Sequence, residues 1–353
     1  MSLEFAYYSL ADLVKIKYGK NQKKVQDDDN GKYPIFGTGG LMGFSKEYLY
    51  DKPSVLIGRK GSIEKVRYVD EPFWTVDTLF YSEINSCYMP KYIYYLFQTI
   101  PWKKYNTSTG VPSLTSTTIE GIEKSFPSLE EQHKIAEFLS LIDERIATQN
   151  KIIEDLKVVI DQISNKVFNL EIINNSFYTL KDFLIEGDKT PVQTDKYRKI
   201  TVKLNKQGLI FSENNREMAD TRPFYKRYEN ELIIGKQNYF NGSIALVSKE
   251  YDSCICSNAI MSFKINNINN DFLYYQISNN NYINSQSYKA NGTGQKELSE
   301  KDFLKFKVWV PTQSEQDKIV KCLKSFELKL KTEISFLNNL MLMKKYLLNN
   351  LFV

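Results

Sequence analysis

The chain has 353 residues, with 47 Lys and Arg against 42 Asp and Glu, and a mean hydropathy of −0.41. This length predicts two or three domains, and the composition is typical of a soluble globular protein. The net charge of +5 excludes histone-like proteins and basic tails. No stretch approaches the roughly 18 apolar residues of a membrane span, and Met1–Tyr18 does not have the pattern of a signal peptide. We therefore expect a cytoplasmic protein.

Few residues are available for metal or nucleophilic chemistry. The chain has four cysteines, Cys87, Cys254, Cys256 and Cys322, and one histidine, His133. Cys254 and Cys256 can share one face of a strand, but a zinc site needs further Cys or His ligands nearby. We therefore expect reduced thiols and no metal site. One histidine also makes Ser-His-Asp or Cys-His catalysis hard to build.

The first globular stretch, Met1–Leu129 (head 1), contains two motifs that resemble functional sites. The run Asp27–Gly31 is interpreted as a polar turn rather than a cation site. Phe36–Gly40 resembles the F-x-G-x-G loop of adenine methyltransferases, but the chain lacks their Asn/Asp-Pro-Pro-aromatic motif. We interpret it as a glycine turn. The chain has no phosphate-binding G-x-x-x-x-G-K-[ST] loop and no convincing nuclease motif, so we predict no catalytic residues.

Head 1 continues as short strands followed by a helix rich in tyrosine. Three β-like runs, Ser54–Ile57, Lys65–Val69 and Thr78–Ser82, are bounded by Gly, Pro, Asn or Asp. The tyrosine-rich helix is predicted near Lys91–Thr99. A loop, a short helix and a strand then lead to Pro127.

A long helix is predicted from Glu130 to about Leu170, because this segment contains no Gly or Pro. Its apolar residues recur in steps of three and four, and Ser128 with Glu131 matches a capping box. About 40 helical residues span about 60 Å, and the near-heptad spacing favours a coiled coil. The acidic pairs Asp143-Glu144 and Glu154-Asp155 are interpreted as parts of its solvated face. The predicted apolar stripe is Ile135, Leu139, Ile142, Ile146, Ile153, Leu156, Ile160, Ile163, Val167 and Leu170.

The second half of the chain repeats this order in Glu171–Gln313 (head 2) and a final helix, Ser314–Val353. Five matches recur in the same order, and from Thr109 onward the offset is 184 residues. Such a series indicates an internal duplication. The matched pairs begin at Tyr8 and Tyr178, Val55 and Leu232, Tyr94 and Tyr274, Thr109 and Thr293, and Pro127 and Pro311. The predicted elements of head 2 are strands Glu231–Ile234, Ile244–Val247 and Ala259–Lys264 and a helix at Asp271–Ser278. The stripe of the final helix is Ile319, Leu323, Phe326, Leu330, Ile334, Leu337, Met341 and Leu348.

The two long helices carry opposite net charges. Glu130–Leu170 has eight acidic and five basic residues, whereas Ser314–Val353 has four acidic and seven basic residues. Opposite charges favour pairing of the two helices, and the pseudo-two-fold symmetry of a duplicated chain requires them to run antiparallel. The alternative is that each helix packs on its own head. The predicted fold is α+β, with two heads and two long antiparallel helices.

Loops in both heads combine Gly, cations and amide or hydroxyl side chains, as DNA-binding loops do. Arg and Lys can bond guanine edges, Asn and Gln can bond adenine edges, and Gly allows close approach to phosphates. With the helices removed, head 1 carries a net +2 and head 2 a net +3. The alternative for each loop is an ordinary solvated turn. The candidate DNA-binding residues are Arg59, Lys60, Ser62, Lys103, Lys104, Thr107, Ser108, Thr109 and Gly110 in head 1, and Lys236, Gln237, Asn238, Tyr239, Lys289, Asn291, Thr293, Gly294, Gln295 and Lys296 in head 2.

The sequence resembles the specificity subunits of type I restriction-modification systems over nearly its whole length. The runs Pro127–Ala136 and Pro311–Val320 are similar to the P-L-x-E-Q-x-x-I-x hinge of that family. Gly61–Ile63 and Gly242–Ile244 resemble its G-x-I strand start. The chain departs from the family at Glu64, where the family often has Gly, and in the longer Gly235–Gly242 loop. The resemblance implies that hinge residues also take part in subunit docking, namely Pro127, Glu131, Gln132, Ile135, Pro311, Glu315, Gln316 and Ile319.

This resemblance implies a non-catalytic subunit of a bacterial or archaeal defence system. Each head would read one half of a bipartite DNA site, and the helices would set the gap between the halves. Two modification (methyltransferase) subunits would dock on it, and restriction (translocase-nuclease) subunits would join through them. S-adenosylmethionine, ATP and Mg²⁺ would belong to those partners. Two alternatives stay open, namely a type IIB or IIG-like partner that combines nuclease and methyltransferase, and a coiled-coil scaffold with no role at DNA.

Overall fold

The computed structural model describes residues 6–169, 177–212, 222–287 and 297–352. The chain forms two compact units. Unit 1 comprises Met1–Lys151 and Ile334–Val353, and unit 2 comprises Ile152–Glu333. Both divisions fall inside the long helices, so each unit contains a head and a part of each helix. Within the described residues, none of the helices has both the length and the apolar character that crossing a bilayer requires.

Unit 1 is built from short strands around a tyrosine-rich helix. A 3₁₀ turn, Trp102–Tyr105, follows that helix. Its elements are β1 (Ala6–Ser9), α1 (Leu10–Leu13), β2 (Val14–Tyr18), β3 (Tyr33–Gly37), β4 (Gly40–Ser45), β5 (Ser54–Gly58), β6 (Val66–Val69), β7 (Trp74–Thr75), β8 (Leu79–Ile84), α2 (Pro90–Thr99), α3 (Ser116–Glu120), β9 (Glu123–Phe126) and the part of the long helix α4 (Leu129–Val167) that ends at Lys151.

Unit 2 repeats this arrangement with different insertions. Several 3₁₀ turns join its strands, including Tyr239–Asn241. Its elements are β10 (Phe177–Thr179), β11 (Leu184–Glu186), β12 (Ile200–Val202), β13 (Leu209–Phe211), β14 (Phe224–Lys226), β15 (Leu232–Gly235), β16 (Ile244–Leu246), β17 (Ile255–Ser257), β18 (Ile260–Ile265), α5 (Asn270–Ile277), α6 (Asn280–Gln286), α7 (Glu300–Phe303), β19 (Lys307–Trp309) and the part of the long helix α8 (Gln313–Leu351) that ends at Glu333.

The sheets of the two units have equivalent strand orders. Unit 1 contains the antiparallel sheet β2-β8-β5-β6, and unit 2 contains β11-β18-β15-β16. The first strand of each unit pairs with the last strand before its long helix, as β1-β9 and β10-β19. The duplication predicted from the sequence is therefore present in the fold. All six predicted strands and both tyrosine-rich helices are found within one or two residues of their predicted bounds.

The core of each unit forms where its sheet packs on its helices. Strand β5 is buried along its whole length, as expected for a central strand covered on both faces. In unit 1, buried residues of the sheet and of α2 join Ala136 and Leu139 of α4 in one cluster. In unit 2, the equivalent cluster includes Val320 and Leu323 of α8. The long helices thus contribute to the cores of the heads.

Each long helix buries two residue series with a strict seven-residue period. This is the pattern of a coiled coil, because such a repeat keeps one seam facing a partner. In α4 the buried and half-buried series are Gln132, Leu139, Ile146, Ile153, Ile160 and Val167, and Ile135, Ile142, Gln149, Leu156 and Ile163. In α8 they are Gln316, Leu323, Leu330, Leu337, Lys344 and Leu351, and Ile319, Phe326, Glu333, Leu340 and Leu347. The two sets are related by the 184-residue offset.

Contacts inside unit 1 give the direction of the helices. Lys344 lies 2.6 Å from Asp143, and the Arg145 guanidinium lies over the ring of Phe336 at 5.5 Å. The residue number rises along α4 as it falls along α8, so the helices are antiparallel, as predicted. Asp143 therefore lies against α8 and not on a solvated face, which corrects that part of the prediction.

Three other sequence predictions have definite outcomes. Phe36–Gly40 forms the β3-β4 hairpin, and the Asp27–Gly31 turn is closed by a 2.7 Å bond from the Gly31 N–H to the Asp27 carbonyl, as predicted. Ile334 and Met341 were wrongly assigned to the apolar stripe. Their side chains are 39% and 56% exposed. The prediction allowed mixed steps of three and four residues, and these steps depart from the seven-residue series that is buried.

Candidate nucleic-acid interface

The two candidate loops of head 1 lie side by side. The Gly61 N–H donates to the Pro112 carbonyl at 2.8 Å, and the Leu114 N–H donates to the Arg59 carbonyl at 2.9 Å. These bonds join the loop after β5 to the loop that precedes α3. Residues predicted from two distant parts of the sequence therefore form one surface.

Arg59 is held in place within this surface. Its Nη1 donates to the Asp77 carbonyl at 3.0 Å, and its guanidinium lies 5.2 Å from the centre of the Tyr18 ring. Tyr18 is itself 50% exposed. A cation fixed by a carbonyl and an aromatic ring loses less entropy on binding than a free side chain. Lys60 follows it and is exposed.

The remaining candidates of head 1 also lie at the surface. Lys103 and Lys104 are exposed on the 3₁₀ turn, and the Lys103 ammonium lies 2.9 Å from the carboxylate of Glu64. The charge of Lys103 is therefore partly neutralised by Glu64, a pairing that the sequence did not predict for this candidate DNA-binding residue. The next loop is ordered by short-range bonds, among them the bond from the Thr107 hydroxyl to the Ser113 carbonyl. The other loop candidates are exposed or half-buried, namely Ser62, Ser108, Thr109 and Gly110.

Head 2 reproduces the central connection of this surface. The Lys236 N–H donates to the Ala259 carbonyl at 3.0 Å, and the Leu298 N–H donates to the Lys236 carbonyl at 2.9 Å. In head 1 the Arg59 N–H donates to the Thr78 carbonyl, and Leu114 donates to Arg59. Lys236 is therefore the structural equivalent of Arg59, and Gln237 is the equivalent of Lys60.

The other candidates of head 2 have different outcomes. Gln237 is exposed and Asn238 is half-buried. Tyr239 is fully buried, and its hydroxyl donates to the Ile277 carbonyl at 2.7 Å. It is a core residue and not a DNA-binding candidate, a correction that follows from its place among the aromatic rings of the second core. Six candidates lie outside the described residues, namely Lys289, Asn291, Thr293, Gly294, Gln295 and Lys296.

The two Gly-Ser-Ile elements share a backbone conformation next to these loops. Gly61 and Gly242 both have left-handed φ angles, of 84° and 73°, which favour glycine. The isoleucines that follow, Ile63 and Ile244, are buried in the cores. Ile244 begins β16, but Ile63 precedes β6 by three residues, so only the second element is a strand start.

The hinge glutamines connect the long helices to the heads. Gln132 Nε2 donates to the Pro127 carbonyl at 3.1 Å, and its Oε1 accepts from the Met89 N–H at 3.5 Å. Gln316 binds the Pro311 carbonyl at 2.9 Å and the Asn269 N–H at 2.9 Å. Both side chains are 3% exposed. These two glutamines are therefore internal braces, and the prediction that they face a docking subunit is wrong for them.

The other hinge residues support the same junctions. Glu315 accepts a 2.7 Å bond from the Thr312 hydroxyl at the start of α8, and this bond lowers the pKa of its carboxyl group. Glu131 makes the corresponding, longer bond with Ser128. Ile135 and Ile319 belong to the heptad series. Pro127 is buried and Pro311 is half-buried.

A second brace, which the sequence did not predict, joins each tyrosine-rich helix to the long helix of its unit. The Tyr95 hydroxyl donates to Asp143 at 2.9 Å, and the Tyr275 hydroxyl donates to Glu327 at 2.7 Å. Asp143 and Glu327 are related by the 184-residue offset. Burial raises the pKa of Tyr95 and of Tyr275, and the neighbouring carboxylates raise it further. The repeated Tyr-Tyr pairs indicated where the tyrosines lie. The sequence does not show which residue of the long helix lies opposite each tyrosine, so Asp143 and Glu327 could not be identified as their partners.

The long helices also expose large apolar side chains outside the heptad series. These residues are not needed for the cores, and such exposed groups are typical of contact surfaces. On α4 the exposed residues are Leu129, Phe138, Leu141, Val158 and Val159, and on α8 they are Leu328, Ile334, Phe336, Met341, Leu342, Met343 and Tyr346.

Comparison with known proteins identifies similar sequences and folds. The family model described as type I restriction modification DNA specificity domain matches residues 3–158 and 173–337. The type I restriction enzyme MjaIX specificity subunit of Methanocaldococcus jannaschii is 27% identical over 143 residues, which cover 38% of this chain and 33% of that protein. The putative MjaX specificity subunit of the same organism is 25% identical over 67% of this chain and 61% of its own length.

Two solved structures share the fold. The S subunit of a type I restriction-modification system from M. genitalium has a TM-score of 0.66 at 19% identity, over 100% of this chain and 97% of its own. A chain from a study of complex assembly in the type I system has a TM-score of 0.60 at 10% identity, over 99% and 98%. The chain matches between one third and about three fifths of the length of the two M. jannaschii relatives.

Proposed function

Because the chain belongs to the family of type I restriction modification DNA specificity domains and contains two of them, we propose that it is the DNA-recognition subunit of a type I restriction-modification complex. Each head reads one half of a bipartite site on double-stranded DNA. The observation that carries this proposal is the repeated loop surface, in which Arg59 and Lys236 occupy equivalent positions. The bacterial or archaeal cytoplasm, which contains the DNA, is the proposed place of action.

The heads present the residue types that direct readout requires. Arg59 is a positioned cation, and its neighbour Lys60 is exposed. Lys236 is followed by the exposed amide of Gln237. Arg and Lys suit guanine edges, and Gln suits adenine edges. Because the equivalent positions carry different side chains, the two half-sites differ in sequence.

We propose that the long helices set the gap between the half-sites. The strict heptad series supports this role, because a coiled coil is a stiff element with a fixed rise for each residue. Inserting one heptad into both helices keeps the seam intact. The DNA sequence that becomes methylated should then contain a longer gap between unchanged half-sites. An unchanged gap would show that the helices do not set it.

The exposed apolar side chains of the helices are the proposed docking surface for two modification subunits. Phe138 and Leu141 on α4 and Leu342 and Tyr346 on α8 are 48–67% exposed. The restriction subunits join through the modification subunits. In this proposal S-adenosylmethionine, ATP and Mg²⁺ belong to the partners, and this chain supplies recognition without catalysis.

The decisive experiment is expression of the chain with its cognate modification subunit, followed by sequencing of methylated adenines in the host DNA. We expect methylation at one discontinuous sequence that disappears when this chain is omitted. A second experiment measures DNA affinity against salt concentration, because phosphate contacts release counterions. Absence of any discontinuous methylated site, together with no salt-dependent DNA binding, would contradict the proposal.

A further inference from the structure

Unit 2 contains a sheet face that is covered by lysine side chains and aromatic rings. Strand β17 lies at its centre, with β14 on one side and the segment before β12 on the other. Lys226 and Lys199 both lie opposite Ile255 in these pairings, so the three side chains project to the same face. This surface is called the β17 face, and its members are Tyr197, Lys199, Phe224, Lys226, Tyr228 and Ile255.

The two lysine side chains cross over Ile255 from opposite sides. The Lys199 ammonium lies 4.9 Å from the centre of the Phe224 ring, and the Lys226 ammonium lies 4.9 Å from the centre of the Tyr197 ring. Ile255 is fully buried, although it belongs to neither of the two hydrophobic clusters that the described residues of this unit form. The lysine stems and the rings therefore cover Ile255, and this packing fixes the position of both ammonium groups.

Ion pairs do not neutralise these ammonium groups. Neither Lys199 nor Lys226 lies within 4.0 Å of a carboxylate in the part of the chain that the structure describes. Hydrogen bonds from the Glu229 N–H and the Ser253 hydroxyl lower the pKa of Asp252, and the charge of Lys226 lowers it further. Asp252 is therefore ionised and weakens the positive potential of the two lysines without cancelling it.

The neighbourhood of the β17 face keeps an excess of positive charge when every acid is counted. Its three segments, residues 195–199, 222–229 and 252–257, contain five basic and three acidic residues besides Arg227. Arg227 is left out because it lies on the opposite face, where its Nη1 donates to the Asp188 carbonyl. The basic residues are Lys196, Arg198, Lys199, Arg222 and Lys226, and the acidic residues are Asp195, Glu229 and Asp252. An open surface of this kind complements a polyanion whose charges recur along a line.

The β17 face ends beside the candidate DNA-binding loop that contains Lys236. The turn after β17 connects the two, because the Asn258 N–H donates to the Pro223 carbonyl at 3.1 Å and the Ala259 carbonyl accepts from the Lys236 N–H at 3.0 Å. Four residues separate Ala259 from Ile255, so the two positions lie within about 13 Å of each other. This distance corresponds to about four base pairs of a duplex.

We propose that the β17 face binds backbone phosphates of the DNA duplex beside the bases that the Lys236 loop reads. Lysine ammonium groups bind phosphate oxygens as point charges, and the rings beneath them hold them in place without neutralising them. Phosphate contacts position a protein on DNA and carry no sequence information. This inference rests on the proposed function and assigns phosphate contacts to residues outside the candidate loops.

The first test compares variants of the full chain on a duplex that contains the methylated site. Lys199→Gln and Lys226→Gln each remove one cation, and Lys181→Gln removes an exposed lysine in the turn between β10 and β11. We expect each of the first two variants to weaken DNA binding by on the order of fivefold and to lower the salt slope by about 1. The double variant should lower the slope by about 2, and Lys181→Gln should not change it. An unchanged slope in the double variant would overturn the inference.

A variant of opposite sign separates charge from folding. Asp252→Asn removes the carboxylate that faces Lys226 and keeps an acceptor for the Glu229 N–H. We expect it to tighten DNA binding by about twofold to fivefold, whereas a loosened fold would weaken binding. Thermal unfolding of each variant measures the fold independently. Weaker binding by Asp252→Asn in a chain that unfolds at the wild-type temperature would contradict the proposal.

The second test neutralises the DNA instead of the protein. Methylphosphonate linkages are placed one at a time through both half-sites and the adjoining base pairs. One or two positions within about four base pairs of the bases read by head 2 should weaken binding of the wild-type chain but not of the Lys199→Gln, Lys226→Gln double variant. Identical profiles for the two proteins would overturn the inference while leaving DNA recognition intact. If the wild-type chain does not bind DNA at all, the proposed function fails instead.

Two further measurements examine other uses of the same lysines. The double variant should direct methylation to the same sequence as the wild-type chain, because phosphate contacts do not specify bases. A changed methylated sequence would assign the lysines to base readout and contradict the proposal. The double variant should also co-purify with the modification subunit as the wild-type chain does. Loss of this assembly, with an unchanged salt slope of DNA binding, would assign the β17 face to an acidic protein surface and contradict the proposal.

Discussion

Units 1 and 2 share a frame and differ in what is inserted into it. The four-stranded sheets have the same strand order, and both Gln braces and both Tyr-carboxylate braces recur. The insertion after the first sheet strand occupies residues 19–53 in unit 1 and residues 187–231 in unit 2. The duplication therefore preserved the support of the heads and not the surface that they present.

The insertions differ in both topology and chemistry. In unit 1, β3 pairs with β7 in parallel, and the β3-β4 hairpin exposes Leu41, Met42 and Phe44. In unit 2, β14 pairs with β17 in antiparallel fashion. Its insertion places cations over rings at shorter range, including Arg198 over Phe211 at 3.3 Å and Lys226 over Tyr197 at 4.9 Å, whereas Lys32 lies 5.6 Å from the centre of the Tyr33 ring in unit 1. Surfaces that differ this much suit two half-sites of different sequence.

The Gln braces test whether the shared frame is equally strong in both units. Gln316→Ala leaves the carbonyl of Pro311 and the N–H of Asn269, both half-buried, without their partner, which costs about 2–3 kcal/mol of unfolding free energy. Gln132→Ala should cost about 1–2 kcal/mol, since its bond to Met89 is 3.5 Å long. Hydrogen exchange at the N–H groups of Asn269 and Met89, with chemical unfolding, measures both effects. Equal losses would show that the longer bond is not weaker in solution.

The Tyr-carboxylate brace should contribute more to the free energy of unfolding in unit 1 than in unit 2, which is the reverse of the order expected for the Gln braces. Asp143→Asn weakens bonds to Tyr95 and to Lys344, so we expect a loss of about 1–2 kcal/mol. Glu327→Gln weakens the bond to Tyr275 and should cost about 1 kcal/mol. Double-mutant cycles with Tyr95→Phe and Tyr275→Phe isolate each pair. A coupling energy near zero in unit 1 would contradict the assignment of Asp143 as a brace.

Alkaline pH should weaken both braces. The pKa values of Tyr95 and Tyr275 are raised above the ordinary value of 10.0, first by burial and then by their carboxylate partners. The folded chain keeps these two protons at pH values at which the unfolded chain loses them. The contribution of the two tyrosines to the free energy of unfolding is therefore fully present below pH 10 and falls as the pH rises above it. Denaturation at pH 8 to 11 should show a decline that is shallower in the Tyr95→Phe, Tyr275→Phe double variant. A parallel decline in that variant would assign the effect to other groups.

The smallest expected effects concern the candidate DNA-binding loops that contain Arg59 in head 1 and Lys236 in head 2. Lys60→Gln gives head 1 the side chain of its equivalent, Gln237, and should lower the salt slope of DNA binding by about 1. Lys103→Gln should change it less, because Lys103 is paired with Glu64. Gln237→Lys should raise the slope. Affinity measured at several salt concentrations tests the three variants together, and a larger effect at Lys103 than at Lys60 would contradict the interpretation of the ion pair.

Much of the fold could be predicted because its signals are local or periodic. The absence of Gly and Pro and the heptad stripe predicted α4 and α8, and repetition of short motifs predicted the duplication. The loops around Arg59 and Lys236 were found because both combine glycine with cations. The resemblance to a known family then joined these parts into one function.

The rest depended on contacts between distant residues. Tyr239 shares a polar loop with Gln237 and Asn238, and only packing shows that its ring fills the core. Gln132 and Gln316 were recognised in the hinge motif, but their partners, Met89 and Asn269, lie more than 40 residues away. Asp143 was misread because a carboxylate beside a heptad position is solvated or bonded according to its neighbour across the seam.

The two braces of each unit also bear on how such a chain can change. The Gln and the carboxylate stand 11 residues apart on the same helix, which is about 16 Å. A head attached at two separated points cannot pivot about the hinge proline. A foreign head joined at that proline would hold its orientation if it carried an N–H for the glutamine and a tyrosine for the carboxylate. The helices can therefore act as a fixed attachment site. A new recognition surface can be acquired by exchange of a whole head that meets these two conditions.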